Sequence, residues 1–200
     1  MIGKNIYNYA VLDSTNDFIK ANPSQFESGD VVVAEEQTKG RGRFGNLWLS
    51  EKGNLYFSFI IKEAFERGNL FLIIMKSALA VRNTLMSFKI RSTIKYPNDI
   101  MVNKKKISGI LMESSGYEKI DTIIVGIGIN INQKKFPKME TKATSMFAQL
   151  KRTYSPKELL NSFILEFNKL ESSKNIYEMY SRYLVLSKKK IKFDGITYKI

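Results

Sequence analysis

Residues 40–48, GRGRFGNLW, combine residue types that bind anions. Two arginines and three glycines lie within six positions, and Trp48, the only tryptophan of the chain, follows them. A guanidinium group presents a planar fork that suits a carboxylate or a phosphate, and glycine lets the backbone approach a ligand closely. In an extended chain, Arg41 and Arg43 would project from the same face. We expect a loop that folds over a ligand bearing both anions; a flexible basic turn or a nucleic-acid contact are the open alternatives.

A second group of polar residues lies in KYPNDIMVNKKKISGIL. Its proline interrupts a strand pattern, so Asn98 and Asp99 are expected at a bend. The Asp99 carboxylate is a candidate Mg²⁺ ligand, because Mg²⁺ takes few protein ligands and completes its shell with phosphate and water. Lys95 and Lys106 would place point charges beside a phosphate or a carboxylate. The alternative is a surface hairpin with a solvated lysine-rich turn.

Three glycines could bring bare strand backbone against a flat ligand. Gly126 and Gly128 alternate in VGIGIN and therefore share one face of a predicted strand, which Asn130 continues with an amide. Gly109 follows a serine in the second group and offers a similar small site. Glycine weakens a strand unless something must approach it closely. We expect a ligand there; a packing contact with a helix is the alternative for the alternating pair.

The chain contains neither cysteine nor histidine. This excludes a disulfide, a thiolate nucleophile and acyl transfer through a Ser–His or Cys–His pair. A carboxylic acid that attacks the α-phosphate of ATP needs no base, because its carboxylate is already the nucleophile. The barrier is the approach of two anions, and fixed cations lower it. Arg41, Arg43, Lys95, Lys106 and a metal ion on Asp99 would suit the formation of an acyl-adenylate.

Length and composition predict a globular protein with one main domain, since 44% of its 200 residues are hydrophobic. The formal net charge of +13 fits a nucleic acid, a nucleotide, an anionic surface or an acidic protein as partner, and A-rich codon usage is the plain alternative. No apolar run approaches the ~20 residues of a membrane span. Without a signal-peptide pattern at the start, we expect a cytoplasmic protein with no membrane partner.

The predicted elements indicate an α+β fold. A short helix begins at DSTN with Ser14 or Thr15 as N-cap, and a capping box opens a later helix at Ser155. A long helix covers residues 69–87, and strands cover the apolar stretches on either side of it. Further strands are predicted at 30–37, 54–62 and 121–132, with a hairpin turning at Asn103. A last helix is predicted over residues 175–187, and the final fourteen residues are expected to form a strand or a short hairpin around Asp194–Gly195. We expect a mixed, mainly antiparallel sheet with helices packed on one side.

Five motifs, in this order, resemble the catalytic domain of biotin–protein ligases: STN, EEQTKGRGRFGNLW, NLYFSF, KYPNDIMVNKKKISGIL and VGIGININ. ATSM, at residues 143–146, is similar to a further family segment. The resemblance implies a class II aminoacyl-tRNA synthetase-like fold and a two-step reaction. Biotin and MgATP give biotinyl-5′-AMP and pyrophosphate, and biotin then moves to one lysine of a biotin carboxyl carrier domain.

The resemblance also implies roles for individual residues. It implies biotin binding by Ser14, Thr15, Asn16, Gln37, Gly40, Arg41, Gly42, Arg43, Lys106, Gly109, Gly126 and Gly128. It implies ATP binding by Arg41, Arg43, Trp48, Lys95, Asn98 and Asn130. Lys106, Arg41 and Arg43 would be catalytic, and Asp99 would hold the metal ion.

The chain departs from the family pattern in three respects. Asn46 stands where a further arginine is usual, and Tyr96 stands where tryptophan is common. We expect a catalytic domain over residues 1–186 and a short remnant of the SH3-like domain over residues 187–200, which would weaken activity or require another chain. No N-terminal DNA-binding domain is expected, and we therefore expect no DNA partner. A homodimer is compatible with the family resemblance.

Three other functions stay open. The basic charge would suit a nucleic-acid-binding module, although helix-turn-helix, RNP and zinc patterns do not occur in the sequence. A lipoate ligase would share the fold, but the histidine-bearing motif of that family is impossible in a chain without histidine. The third is a biotin-binding homologue that has lost turnover.

Overall fold

A seven-stranded mixed sheet forms the centre of the protein. The computed structural model describes residues 1–65, 70–116, 120–137, 142–170, 175–185, 190–193 and 196–199. The strands of the sheet are β1 (Ile6–Leu12), β2 (Val31–Gln37), β3 (Leu55–Phe65), β4 (Thr93–Lys95), β5 (Asp99–Val102), β6 (Lys105–Ser115) and β7 (Ile120–Ile129). Their order is β1-β2-β3-β7-β6-β5-β4. β1 and β2 pair in parallel and all other neighbours are antiparallel, which confirms the predicted α+β class.

The helices cover the two faces of this sheet unequally. They are α1 (Thr15–Ala21), α2 (Leu70–Ser87), α3 (Met146–Leu150), α4 (Pro156–Lys169) and α5 (Ile176–Arg182). α2 contacts both α4 and α5, and these three pack on one face, as predicted. The structure adds α1 on the opposite face, where it contacts β2, β3 and β7.

Strand alternation separates two hydrophobic clusters. Phe59 of β3 packs against Phe163 and Phe167 of α4, with ring centres 6.3 and 5.0 Å apart. Its neighbour Ile60 belongs to a smaller cluster with Ile19 of α1. Because successive side chains of a strand point to opposite faces, the first cluster forms the large core under α2 and α4. The face that carries α1 stays open over β6 and β7, and the site lies there.

α2 is the long apolar helix that the sequence predicts. It has the length and composition of a membrane span, but a core helix of a soluble protein has them too, and half of it is buried within the protein. Ala78, Leu79 and Val81 are fully buried in the large core. The helix therefore contributes apolar surface to the core, which is the main driving force for folding.

Several local predictions are confirmed by backbone geometry. Ser155 caps α4 and accepts a hydrogen bond from the Glu158 N–H at 3.4 Å. Asn103 and Lys104 have φ of 49° and 61°, as the tight turn of the β5–β6 hairpin requires. The proline between β4 and β5 follows a cis peptide bond, Tyr96–Pro97.

Two elements differ from the sequence prediction. β1 was not predicted; it is an edge strand without a fully buried residue, so it lacks an apolar periodicity. The last predicted helix is shorter, because after Arg182 the chain turns and Ile94 of β4 donates its N–H to Tyr183 O at 2.7 Å. The hairpin predicted for the last residues agrees with two further strands, β8 (Lys190–Phe193) and β9 (Ile196–Lys199), which pair with each other; its turn at Asp194–Gly195 lies outside the described residues.

Candidate active site

A cavity of about 690 Å³ opens on the face of the sheet that carries α1. Its walls come from the start of α1, the end of β2, the glycine-rich loop (residues 40–47), the β4–β5 corner, and strands β6 and β7. The predicted site residues that line it are Ser14, Thr15, Asn16, Gln37, Arg41, Gly42, Arg43, Trp48, Lys95, Asn98, Asp99, Lys106, Gly109, Gly126, Gly128 and Asn130. Gly40 is the exception. Because Gly40 has no side chain, the backbone of Trp48 and the hydroxyl of Ser50 can pack against it. Gly40 therefore supports the conformation of the loop and does not line the cavity.

The start of α1 forms a polar end of the cavity. The Thr15 N–H donates a hydrogen bond to Gln37 Oε1 at 2.8 Å, and Gln37 Nε2 donates to Ser50 Oγ at 2.9 Å. Ser58 of β3 lies beneath them, with its hydroxyl 2.6 Å from both Thr15 Oγ1 and Asn16 Oδ1. This network fixes the side chains at the polar end before any ligand arrives, which is the arrangement that selective binding sites favour.

Ser58 was not predicted as a site residue. It is fully buried and pairs in register with Gly126 of β7, so two small residues make a depression in the sheet. Asn16 fills that depression, and a Cβ on Gly126 would overlap the Asn16 amide. The bare backbone at Gly126 therefore receives a protein side chain, whereas the sequence predicted that it would receive the ligand.

The glycine-rich loop is not extended, and its two arginines diverge. Phe44 has φ of 57° within a short 3₁₀ turn at Arg43–Gly45. The Arg41 guanidinium pairs with Asp17, its Nε lying 3.0 Å from Oδ2, and contacts Glu113. Arg43 instead donates to Asn98 Oδ1 at 3.2 Å. The condition of an extended chain ends at Arg43, where the 3₁₀ turn begins, and the two guanidinium groups contact different partners.

The two arginines also differ in charge balance. Hydrogen bonding to Asp17 raises the pKa of the Arg41 guanidinium; burial is the next largest effect and lowers it, and the nearby Glu113 charge raises it again. Arg43 makes no ion pair with any described residue. Of the two cations, Arg43 is the one whose charge is available to an anion in the cavity.

Trp48 lies flat on the glycine surface of β6 and β7. A Cβ on Gly128 would overlap its indole ring, and one on Gly109 would come within 3.0 Å of its Cζ3 atom. Lys106 Nζ stands 5.1 Å from the centre of the ring, within the range of a cation–π contact. The indole Nε1 is buried and has no hydrogen-bond acceptor among the described residues. The predicted close approach to Gly128 is therefore made by this ring.

Lys106 and Asp99 form an ion pair inside the cavity, with Nζ 2.6 Å from Oδ1. Their side chains are 23% and 18% exposed, so the pair is partly shielded from water. Asn98 holds the adjacent corner by donating to Ile110 O at 2.7 Å. Asn130 donates to Thr144 O at 3.0 Å, whereas Lys95 at the rim is exposed.

The donor set at Asp99 fits a Mg²⁺ ion that also binds phosphate. No group of three or more Asp or Glu side chains positioned for a metal occurs among the described residues. Mg²⁺ commonly takes one or two protein carboxylates and completes its shell with substrate phosphates and water. The single carboxylate of Asp99 is sufficient for that kind of binding, and the Asn98 amide oxygen accepts a hydrogen bond from Arg43.

Several residues of the site were not predicted from the sequence. Asp17 and Glu113 hold Arg41, while Gln133, Phe136 and Ala143 line the cavity. Glu113 follows the apolar residues 110–112 of β6 as a single carboxylate, which could have marked it in the sequence. Ala143 belongs to the ATSM segment and bridges to Lys106; the other three depend on chain folding that sequence spacing does not reveal.

The sequence matches the model of the biotin/lipoate A/B protein ligase family over residues 9–130. It is 36% identical over 154 residues to the bifunctional ligase/repressor BirA of Bacillus subtilis, covering 73% of this chain and 47% of that protein. It is 30% identical over 194 residues to the chloroplastic biotin–protein ligase 1 of Arabidopsis thaliana, covering 90% of this chain and 52% of that one. The chain thus spans about half the length of these curated relatives.

The fold is similar to that of a solved biotin protein ligase. The structure from Aquifex aeolicus in complex with biotin and ATP superposes with a TM-score of 0.81 at 31% sequence identity. The match covers 98% of this chain and 87% of that one, so the likeness extends over nearly all of the chain described above.

Proposed function

Because the chain belongs to the biotin/lipoate A/B protein ligase family, we propose that it activates biotin with ATP and transfers biotin to a lysine of a carrier protein. Relatives named as biotin–protein ligases and a relative solved with biotin and ATP support this choice. Lipoate activation is not favoured, since the Arabidopsis thaliana relative is named a biotin–protein ligase and the Aquifex aeolicus relative was solved with biotin and ATP.

One observation carries the proposal. Arg43, Lys95 and Lys106 line the same cavity as the polar end formed by Thr15 and Gln37. Biotin has a polar ring at one end and a carboxylate at the other, and ATP is strongly anionic. A cavity that is neutral and hydrogen-bonding at one end and cationic at the other suits a biotin carboxylate facing the phosphates of ATP.

In the first step a biotin carboxylate oxygen attacks the α-phosphorus of ATP. A phosphorus–oxygen bond to biotin forms, the bond to the β-phosphate breaks, and pyrophosphate leaves with its electron pair. No proton needs to move, so the absence of histidine from the chain is no obstacle. Lys106 and Arg43 stabilise the negative charge that accumulates where the two anions meet.

In this proposal a Mg²⁺ ion would be held by Asp99, with Asn98 next to it in the chain, and when bound it would supply positive charge against the ATP phosphates. Lys106 would bind the biotin carboxylate or the acyl-phosphate oxygens. Trp48 and Asn130 bind the nucleotide, and Gly42 lets the loop backbone approach the adenylate.

In the second step a lysine amine of the carrier attacks the acyl carbon of biotinyl-5′-AMP and AMP leaves. We assign this step to a biotin carboxyl carrier domain, as the family resemblance implies. We assign the catalytic domain to residues 1–186 and treat residues 187–200 as a short remnant of the SH3-like domain. The cytoplasmic location, the absence of a DNA partner and a homodimer stay predictions.

Exchange of labelled pyrophosphate into ATP tests the first step, and labelled biotin transferred to an isolated carrier domain tests the second. We expect exchange that depends on biotin and is absent with lipoate. Lys169→Met is a matched control for any lysine variant of the site, because Lys169 is an exposed residue of α4 on the far face of the sheet. Purified protein that binds biotin but gives no exchange would instead support a homologue without turnover. If the protein does not bind biotin but slows the electrophoretic migration of a nucleic acid, and added salt abolishes this effect, the nucleic-acid-binding module would be favoured.

A further inference from the structure

Glu113 of β6 touches both the sheet side of the cavity and the glycine-rich loop. Its Oε2 accepts a hydrogen bond from Asn16 Nδ2 at 2.8 Å. The same oxygen lies 3.3 Å from the Arg41 guanidinium. The Glu113 side chain is 22% exposed, so water only partly screens these charged contacts. One carboxylate thus joins a side chain that lines the polar end of the cavity to the loop that covers it.

The carboxylate fixes which way the Asn16 amide points. A carboxylate only accepts hydrogen bonds, so Asn16 must turn its Nδ2 toward Glu113. Its Oδ1 then faces Ser58 and accepts from the Ser58 hydroxyl at 2.6 Å. If the Asn16 amide were reversed, its oxygen would face the Glu113 carboxylate, and the two groups would repel each other. The reversed amide would also lose the hydrogen bond that Ser58 donates to Asn16 Oδ1. Asn16 is 3% exposed, which makes an unsatisfied amide costly there.

The same carboxylate helps to hold the loop. Arg41 pairs with Asp17 on α1 and with Glu113 on β6, so one guanidinium group forms ion pairs with two separate elements. Asp17 is itself held at the start of α1, where its N–H donates to Ser14 Oγ at 3.3 Å. With its charge balanced by two carboxylates, the Arg41 side chain anchors the loop to the body of the protein.

We propose that Glu113 is a positioning residue of the site, which sets the amide of Asn16 for biotin and docks the glycine-rich loop through Arg41. The biotin part of this inference rests on the proposed function. Glu113 does not touch the reacting atoms; it acts through Asn16 and Arg41. Arg41, which the sequence predicts as catalytic, is then a loop anchor, and Arg43 is the loop cation that faces the phosphates.

The first test is Glu113→Gln, which keeps the shape of the side chain but adds N–H donors and removes the charge. We expect the KM for biotin to rise about tenfold, which corresponds to about 1.4 kcal/mol, because one charged hydrogen bond to Asn16 is lost. The KM for ATP should change by less than about twofold. Glu166→Gln removes a carboxylate from an ion pair on α4 and is the matched control, with unchanged constants. An unchanged biotin KM in Glu113→Gln would overturn the proposal.

A double-mutant cycle separates a positioning role from general damage. If Glu113 acts through Arg41, the double variant Glu113→Gln, Arg41→Gln should have a biotin KM close to that of the more affected single variant. If the two residues act independently, the two increases multiply, and the proposed coupling is refuted. Melting temperatures measured alongside show whether any loss of activity follows a loss of fold.

Trypsin cleavage tests the loop anchor without any reaction. Arg41 and Arg43 are cleavage sites within the loop, and mass spectrometry identifies the peptides that each one gives. Glu113→Gln should be cut after Arg43 faster than wild type and faster than Glu166→Gln; equal rates would refute the anchor. If wild type shows no biotin-dependent exchange, the proposed function fails, and the cleavage rates still decide whether Glu113 docks the loop.

Discussion

Replacing Lys106 with methionine removes a cation that lines the cavity and pairs with Asp99. Lys106 Nζ lies 2.6 Å from Asp99 Oδ1. At an effective dielectric constant of about 20, two unit charges at that distance attract by about 6 kcal/mol, but most of this offsets the cost of removing both groups from water. For a partly exposed pair, we expect the free energy of unfolding to fall by about 1–3 kcal/mol in Lys106→Met.

The effect on the reaction should be larger than the effect on the fold. A fixed positive group aimed at developing charge contributes about a hundredfold to a thousandfold to the rate. We therefore expect biotin-dependent pyrophosphate exchange by Lys106→Met to fall by that factor when measured well below its melting temperature. Lys169→Met, on the opposite face of the sheet, should keep the wild-type rate and nearly the wild-type stability.

Lys106→Arg distinguishes a catalytic cation from a structural partner of Asp99. Arginine keeps the charge and pairs well with a carboxylate, so the stability should stay near that of wild type. Its planar fork cannot occupy the place of a compact ammonium group, so exchange should still fall at least about tenfold. If the exchange rates of Lys106→Met and Lys106→Arg simply follow their stabilities, Lys106 has a structural role alone and the reasoning is wrong.

Three further changes test other contacts of the site. In Gly128→Ala the new Cβ overlaps Trp48, so the fluorescence of this single tryptophan should shift to longer wavelength and ligand affinity should fall; an unchanged spectrum would contradict the stacked ring. In Arg43→Ala labelled adenylate should leave the site faster during gel filtration, and retention equal to wild type would show that the loop is not a lid. Burial raises the pKa of the Tyr56 phenol above its ordinary value of 10.0. The neutral phenol is therefore favoured in the folded state, and stability is lost as the pH rises above 10. Urea midpoints should fall less steeply in that range for Tyr56→Phe, and parallel curves would refute this assignment.

The residues of the site could be predicted from sequence because each one lies in a short motif. Glycine, arginine and the Asn98–Asp99 pair have few structural reasons to occur together at such spacing, and the cavity brings nearly all of them to its walls. The hairpin turn at Asn103 and the cap at Ser155 were predictable for the same reason. Such features depend on a few neighbouring residues and on local backbone preferences.

The partners of these residues could not be predicted in the same way. Glu113 follows Arg41 by 72 positions and meets it only after β6 has entered the sheet. Ser58 looks like any small residue in a strand until its register with Gly126 is known. β1 was not predicted, because an edge strand contacts only one neighbouring strand and buries little of its surface. Its sequence therefore lacks the alternation of apolar and polar residues that indicates a strand.

Counting charges in the sequence therefore overstates the positive charge that the cavity offers to a ligand. Arg41 is balanced by two carboxylates and Lys106 by one, whereas Arg43 and Lys95 make no ion pair with the described residues. If the proposed reaction takes place here, Arg43 and Lys95 would meet ATP without losing an ion pair, whereas Lys106 is already paired with Asp99. Because Asp99 is also the proposed Mg²⁺ ligand, Asp99→Asn should raise the Mg²⁺ concentration that gives half-maximal pyrophosphate exchange. An unchanged half-maximal concentration would show that Asp99 does not hold the ion.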